Sequence, residues 1–424
     1  MRILCCVVLL AVACGETAEV PESTLWVQAN HQPIRSLTAD DDFSDLAFLE
    51  PTLRGRRIVQ LGENGHGVAE FSQLKVRLIK YLHSELGYDI LAFESGLYEC
   101  QWANELVGRL GAASVMRNCL FGIWHTAEVI PLFEYIAEAR SSDRPLQLAG
   151  FDVINSGSGW HQRPEFLFHR LIEPFDPDYA ARAFSLDSLF LHRAITIEDR
   201  EYIESHQAEL VADFEALAAF LTEHRDEIAG AARADPARVE LAAQVALSAA
   251  ASVRQGAADV RDHTAPESSE IRGRGMADNL EFIADRLYPG KKIIVWAHNG
   301  QVRHDGLAVE PYPAKTMGGW LAERRGEEVY TIGLYMYRGH AARDFDTVYE
   351  IARIPAGSLE SILSRADAPW HFLDLSGAQL EPGTSWMFTP SIAMLDGSST
   401  ETLVARDQYD GIVFIDSVSP ARYR

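Results

Sequence analysis

The residues best equipped for chemistry sit in Gly62-Glu63-Asn64-Gly65-His66-Gly67. A carboxylate and an imidazole lie three positions apart, among glycines that permit a tight turn. An imidazole titrates near neutrality, so it can take a proton from water, and a nearby carboxylate stabilises the charge it gains. Three later stretches end in the same residue types: 90–94 in Glu94, 146–152 in Asp152, and 293–298 in His298. Lys75 adds a cation. It falls inside the apolar stripe of Phe71, Leu74, Leu78, Ile79 and Leu82 on a helix predicted over 68–84, while Arg77 and Lys80 point the other way. A lysine among core positions either snorkels to solvent or reaches the acids at the sheet end. The whole set suits proton transfer to a water, with a cation beside a developing oxyanion. It could equally hold a metal, since His, Asp and Glu are ordinary zinc or manganese ligands.

These residues need elements that bring them together. Ile58–Leu61 is a short apolar run of the kind that forms a buried strand, and the runs before Glu94, Asp152 and His298 match it. In an open parallel sheet, ligands bind outside the carboxyl ends of the strands. If the four runs are neighbours, Glu63, His66, Glu94, Asp152 and His298 converge there; otherwise each is an ordinary polar residue at a strand end. Helices are predicted over 102–110, 127–140, 273–287 and 314–325, with Asp40–Asp42 capping another through Leu49. Residues 198–262, rich in Ala, Glu and Arg, read as an inserted helical hairpin or bundle, broken at Asp235-Pro236. The insertion, bounded at 165–265, is expected either as a lid over the cleft or as a layer on one sheet face. Strands are predicted over 328–337, 370–375 and 412–415, although the pattern weakens beyond Gly339. The fold class is therefore α/β: a central, mainly parallel sheet flanked by helices, with an inserted helical subdomain.

Charge and length narrow the function. The chain has 424 residues, with 38 Lys+Arg against 61 Asp+Glu and a formal charge of -23. That balance argues against nucleic acid and anionic membrane surfaces as partners. Residues 1–13 read as a signal peptide, too short in its apolar run to span a bilayer. Leu10-Ala11-Val12-Ala13-Cys14 resembles the lipobox of bacterial lipoproteins, with Ala11 where leucine is usual. Cys14 is the expected lipidation site, residues 14–30 the expected tether, and 31–424 the α/β domain. The protein is thus expected to be exported and held in the bacterial envelope by its lipid anchor alone, as a monomer; simple secretion is the alternative. Cys5 and Cys6 leave with the signal, so Cys100 and Cys119 remain as a candidate disulfide or as two buried thiols.

Several motifs are missing. No Gly-x-Ser-x-Gly elbow, phosphate-binding loop, dinucleotide fingerprint or His-Glu-x-x-His occurs. What is present resembles the erythromycin esterase family. Gly62 to Gly67, followed by Glu70-Phe71 and Leu74-Lys75, is similar to that family's Gly-Glu-x-Thr-His-Gly-x-x-Glu-Phe motif. Phe93-Glu94, Gly150-Phe151-Asp152, Met276-Ala277, Trp296-Ala297-His298-Asn299 and Met317-Gly318 recur in the family's order over residues 34–339. Gly65 departs from the usual threonine. The resemblance implies an α/β core with a helical insertion, and hydrolysis of an ester or lactone by an activated water without a covalent intermediate. It makes His66 the general base, places Glu63 and Glu94 beside it, and aligns His298 and Lys75 with the family's second histidine and basic residue. On this reading Glu63 holds the His66 tautomer, His298 and Lys75 stabilise the oxyanion, and Glu94 positions the water or a partner. Asp152 and Asn299 are expected to bind substrate, and no metal or other cofactor is expected. A metal-dependent hydrolase built on the same residues is one competing reading. A surface lipoprotein that binds a small ligand without turnover is the other.

Overall fold

The computed structural model describes residues 20–38, 42–193, 197–345 and 347–424. The segment read as a signal, Cys14, Asp40 and Asp41 lie outside the described residues. The strands are β1 (Gln32–Pro33), β2 (Ile58–Leu61), β3 (Tyr88–Gly96), β4 (Gln147–Asp152), β5 (Lys292–Trp296) and β6 (Val329–Ala342). They continue with β7 (Val348–Glu350), β8 (Trp370–Asp374), β9 (Ser391–Leu395), β10 (Ser399–Leu403) and β11 (Gly411–Val418). One sheet runs in the order β1, β8, β11, β6, β2, β5, β3, β4, with β7 paired to β6. Every pairing from β11 to β4 is parallel, while β1–β8 and β8–β11 are antiparallel. The four runs that end in candidate site residues are thus the contiguous block β2, β5, β3, β4.

Both faces of that block are buried, which is why its strands read as continuous apolar runs rather than alternating ones. Successive side chains point to opposite faces. Ile90, Ala92, Ile293 and Val295 join one core, and Leu91, Phe93, Ile294 and Trp296 join the other. The second core is closed by the helix Ala69–Ser84, through Phe71, Leu74, Leu78, Ile79 and Leu82. The first is closed by the long segment between β4 and β5. There the helix Pro266–Phe282 packs on β4, Pro236–Arg261 packs on that helix, and Gln207–Glu223 lies outside both. Their apolar residues, among them Phe214, Val245, Ala249 and Met276, are continuous with the sheet core. The inserted helices therefore form a layer on one face of the sheet.

Several local expectations need correction. The stretch read as a tether includes a helix, Glu22–Asn30, which buries Val27 in the core and sets Trp26 edge-on to Trp386. The helix expected through Leu49 is a single 3-10 turn, Ser44–Leu46, followed by a short helix at Leu49–Thr52. Arg77 does not face solvent: the 42–45 segment covers it, and Asp45 receives its guanidinium at 2.6 and 2.9 Å. Helical periodicity identifies the face that meets the sheet but not a second covering segment. The strands β7, β9 and β10 were not expected at all. Cys100 and Cys119 are joined in a disulfide with their Cα atoms 4.2 Å apart.

Candidate active site

The turn after β2 is held on both sides by extensions of the sheet ladder. Gly62 and Asn64 donate their backbone N–H to the carbonyls of Ile332 and Leu334, and Asn299 donates to the carbonyl of Glu63. Gly67 adopts φ +72°, and a Cβ there would lie 1.8 Å from the Ala342 carbonyl oxygen. Only glycine fits so close a backbone approach. The turn is therefore rigid at its base, and it presents Glu63 and His66 at the strand end.

Glu63 is 2% exposed, and three hydrogen-bonding groups surround its carboxylate. Its Oε1 accepts from the Trp124 indole N–H at 2.8 Å and pairs with His66 Nδ1, also at 2.8 Å. Its Oε2 accepts from the Lys75 ammonium at 2.7 Å. Burial opposes the charge, but Lys75 and His66 outweigh it and hold the carboxyl at about 2. An ionised Glu63 can only accept, so Nδ1 of His66 is the donor and Nε2 carries the free lone pair. Among the described residues no hydrogen bond engages that Nε2. Burial works against protonation of His66, yet the hydrogen bond and charge of Glu63, with the charges of Glu94 and Asp396, raise its pKa above the usual 6.5. About a third of its side chain (32%) meets solvent, so it opens to the cleft.

Lys75 reaches an acid at the sheet end, and its ammonium is fully engaged there. Besides Glu63 it donates to the Ala297 carbonyl at 3.1 Å and sits 4.7 Å from the centroid of the Trp296 ring. It is 0% exposed. Its expected place beside the oxyanion is therefore corrected: its charge serves the Glu63 carboxylate.

His298 caps the short helix Asn299–Val302, its Nδ1 accepting from the Gly300 N–H at 3.1 Å. Its Nε2 lies 2.8 Å from Asp396 Oδ1, and its ring centroid is 5.1 Å from that of His66. Both ring nitrogens have partners, so His298 is not a free oxyanion donor as it stands.

Glu94 divides its oxygens, Oε2 accepting from the His298 backbone N–H at 2.8 Å and Oε1 from Arg272 at 2.9 Å. Asp152 is 1% exposed and takes the same guanidinium through both oxygens. Asn299 bonds to both backbone groups of Leu334. Asp152 and Asn299 are thus part of the scaffold, and the expectation that they bind substrate is corrected on that ground.

Three site residues escaped sequence reading. Arg272 lies on the helix Pro266–Phe282, next to Gly273, where a Cβ would lie 2.7 Å from the Thr316 backbone. That close approach brings the guanidinium to the sheet end, and the Arg-Gly-Arg-Gly stretch before Met276-Ala277 was the available signal. Asp396 stands at the tip of the β9–β10 hairpin, where Asp396-Gly397 is a recognisable turn pair. Trp124 had no signal, since it comes from a single 3-10 turn at Gly122–Trp124. Among the described residues, no three His, Cys, Asp or Glu side chains converge as a metal site.

Fold and site together define an α/β protein with two histidine–carboxylate pairs at the carboxyl ends of a parallel sheet. A sequence model described as Erythromycin esterase matches residues 83–418. The Bacillus subtilis protein YbfO, named as a candidate hydrolase, is 32% identical over 411 residues, which cover 93% of this chain and 91% of that one. Erythromycin esterase type II of Escherichia coli is 22% identical over 353 residues, covering 76% and 80%. The solved structure of a mutant erythromycin esterase in its open conformation superposes with a TM-score of 0.69 at 20% identity, covering 92% and 98%. The chain belongs to the erythromycin esterase family, and that membership supports an enzyme of the hydrolase class.

Proposed function

We propose that the protein hydrolyses an ester or lactone, with His66 as general base toward water. The observation that carries this reading is the Glu63–His66 contact. It commits Nδ1 to a carboxylate held ionised by Lys75, and it leaves Nε2 open to the cleft. A water there loses its proton to Nε2 as its oxygen attacks the carbonyl carbon. The imidazolium is stabilised by Glu63, and the proton passes to the leaving alkoxide as the tetrahedral intermediate collapses. Arg272, held by Glu94 and Asp152 and 22% exposed, is the cation placed to meet the developing oxyanion, in the role first given to Lys75.

Turnover of an ester and lactone panel tests this, comparing wild type with His66→Asn in the presence and absence of chelator. The variant should stay folded and lose roughly 10²–10⁴ in rate. One equivalent of tightly bound metal, with activity that vanishes on its removal, would replace the free-base assignment with a metal-dependent one. No turnover of any ester would leave ligand binding as the better reading.

We also propose attachment to the bacterial envelope through a lipid on Cys14, which rests on the apolar segment and the small residues before it. Among the described residues no helix is long and apolar enough to cross a membrane. Cys14→Ser should move the protein from the membrane to the soluble fraction and abolish lipid labelling. An unchanged membrane fraction would sink the proposal.

A further inference from the structure

The β9–β10 hairpin was invisible to sequence reading, yet it is docked on the catalytic turn by a set of polar contacts, several of them buried. Asn64 uses both ends of its amide: Nδ2 donates to the Met394 carbonyl at 2.7 Å, and Oδ1 accepts from the Asp396 N–H at 3.1 Å. Glu360 accepts from the Met394 N–H at 2.7 Å. The Tyr349 hydroxyl donates to the Asp396 carbonyl at 2.8 Å. At the far end, Arg303 and Glu401 form a buried pair. The tip itself approaches Gly65, whose absent Cβ would lie 3.3 Å from the Asp396 Cα. That glycine stands where the family motif usually has threonine, so this chain has room for the tip where a larger residue would press on it.

The docking delivers one side chain to the site. Asp396 adopts φ +53°, a left-handed conformation that costs most residues free energy and is tolerated best by Gly, Asn and Asp. From there its Oδ1 meets His298 Nε2 at 2.8 Å, while its Oδ2 has no hydrogen bond among the described residues. Since Nδ1 of His298 accepts from Gly300, Nε2 carries the proton toward Asp396.

We propose that Asp396 is a positioning residue for the reaction: it fixes the ring and tautomer of His298 from the hairpin tip and adds a negative charge beside His66. The geometric part stands by itself, and only the catalytic consequence rests on the hydrolase reading above. The charged and titratable groups facing the two rings are Glu63 and the Lys75 bound to it, Glu94 with its Arg272, and Asp396. Arg303 acts on Asp396 from the hairpin's other end. Among these acids Asp396 is the most exposed, at 51%, while the His298 side chain it meets is 15% exposed.

The experiment compares Asp396→Asn and Asp396→Gly with wild type. Both substitutes tolerate the left-handed backbone, so the tip should keep its shape. Asparagine keeps an acceptor for Nε2–H but removes the charge, whereas glycine removes both. Two readouts are taken: kcat and KM on an ester the wild type cleaves, and histidine ring NMR titrations of His66 and His298, which need no substrate. The kcat should fall about tenfold in Asp396→Asn and about 10²-fold in Asp396→Gly, within the range of general acid–base effects, with KM nearly constant. In both variants the His66 midpoint should move to lower pH, because a neighbouring negative charge has gone. A purely structural hairpin would lower thermal stability and leave that midpoint in place; an unmoved midpoint with unchanged His298 resonances would overturn the proposal. If no ester is cleaved even by wild type, the titrations still decide the role of Asp396, and only the hydrolase reading fails.

Discussion

The two histidine–carboxylate pairs differ in every respect but their chemistry. Glu63 and His66 are three residues apart on one turn, whereas Asp396 and His298 are 98 residues apart and meet only through a docked hairpin. The Glu63 side chain is 3% exposed and ringed by Lys75, Trp124 and His66, while that of Asp396 is 51% exposed. A buried carboxylate that keeps its charge needs a full set of donors, and those donors also fix its geometry. An exposed one is solvated and screened, so its pairing is weaker and more easily exchanged. The inner pair is therefore suited to holding a tautomer through the whole reaction. The outer pair orients its histidine through a more solvated contact, so it should weigh less on stability than the inner pair.

Lys75→Met should break the inner pair hardest. It leaves the Glu63 carboxylate buried without its ammonium, and removal of one partner of a buried pair typically costs about 3–5 kcal/mol. Denaturant unfolding at neutral pH measures this, and an unchanged midpoint would show that Lys75 does not carry Glu63. The sign with pH follows from Glu63's lowered pKa. Its stabilising pull is complete above its ordinary 4.5 and is lost as pH falls through about 2, so the wild type should lose stability over that window and the variant, without Lys75's pull, should lose less there.

Glu63→Gln leaves the buried Lys75 ammonium without its counter-charge, so it too should cost stability, and it should have a clear effect on the pH profile. A general base acts in its neutral form, so the acidic limb of the wild-type rate profile should lie above 6.5, where Glu63 helps to raise the His66 pKa. Glu63→Gln removes that charge and should carry the limb downward. A limb that stays in place would mean that His66 is not the group being titrated. The smallest effect on stability is expected from Asp396→Asn, whose side chain is largely solvated, and the contrast with Lys75→Met measures how far burial separates the two pairs.

Much of the site was legible because its signals are local. Glu63 and His66 share one glycine-framed turn, and the apolar runs before Glu94, Asp152 and His298 carry the pattern of strands buried on both faces. Lys75 was found by angle alone, since a cation within an apolar stripe must either snorkel to solvent or find a partner. Its role was misjudged for a physical reason: periodicity gives the direction of a side chain, not the identity of the group that neutralises it. The same limit applies to Asp152 and Asn299, which occupy the expected strand ends but face Arg272 and Leu334.

By itself, then, the sequence determined the α/β pattern, the run of strands that end in acids and histidines, and the local Glu63–His66 pair, because each depends on neighbours within a few residues. Only the tertiary structure decided that β2, β5, β3 and β4 lie side by side and that Lys75 answers Glu63. It also brought Arg272 in from the helical layer and set Asp396 on His298 from beyond β6. The Arg272 and Asp396 contacts join residues 98 or more positions apart, and Lys75 and Glu63 are 12 apart. The energy of each contact comes from burial and charge that exist only once the chain has closed on itself.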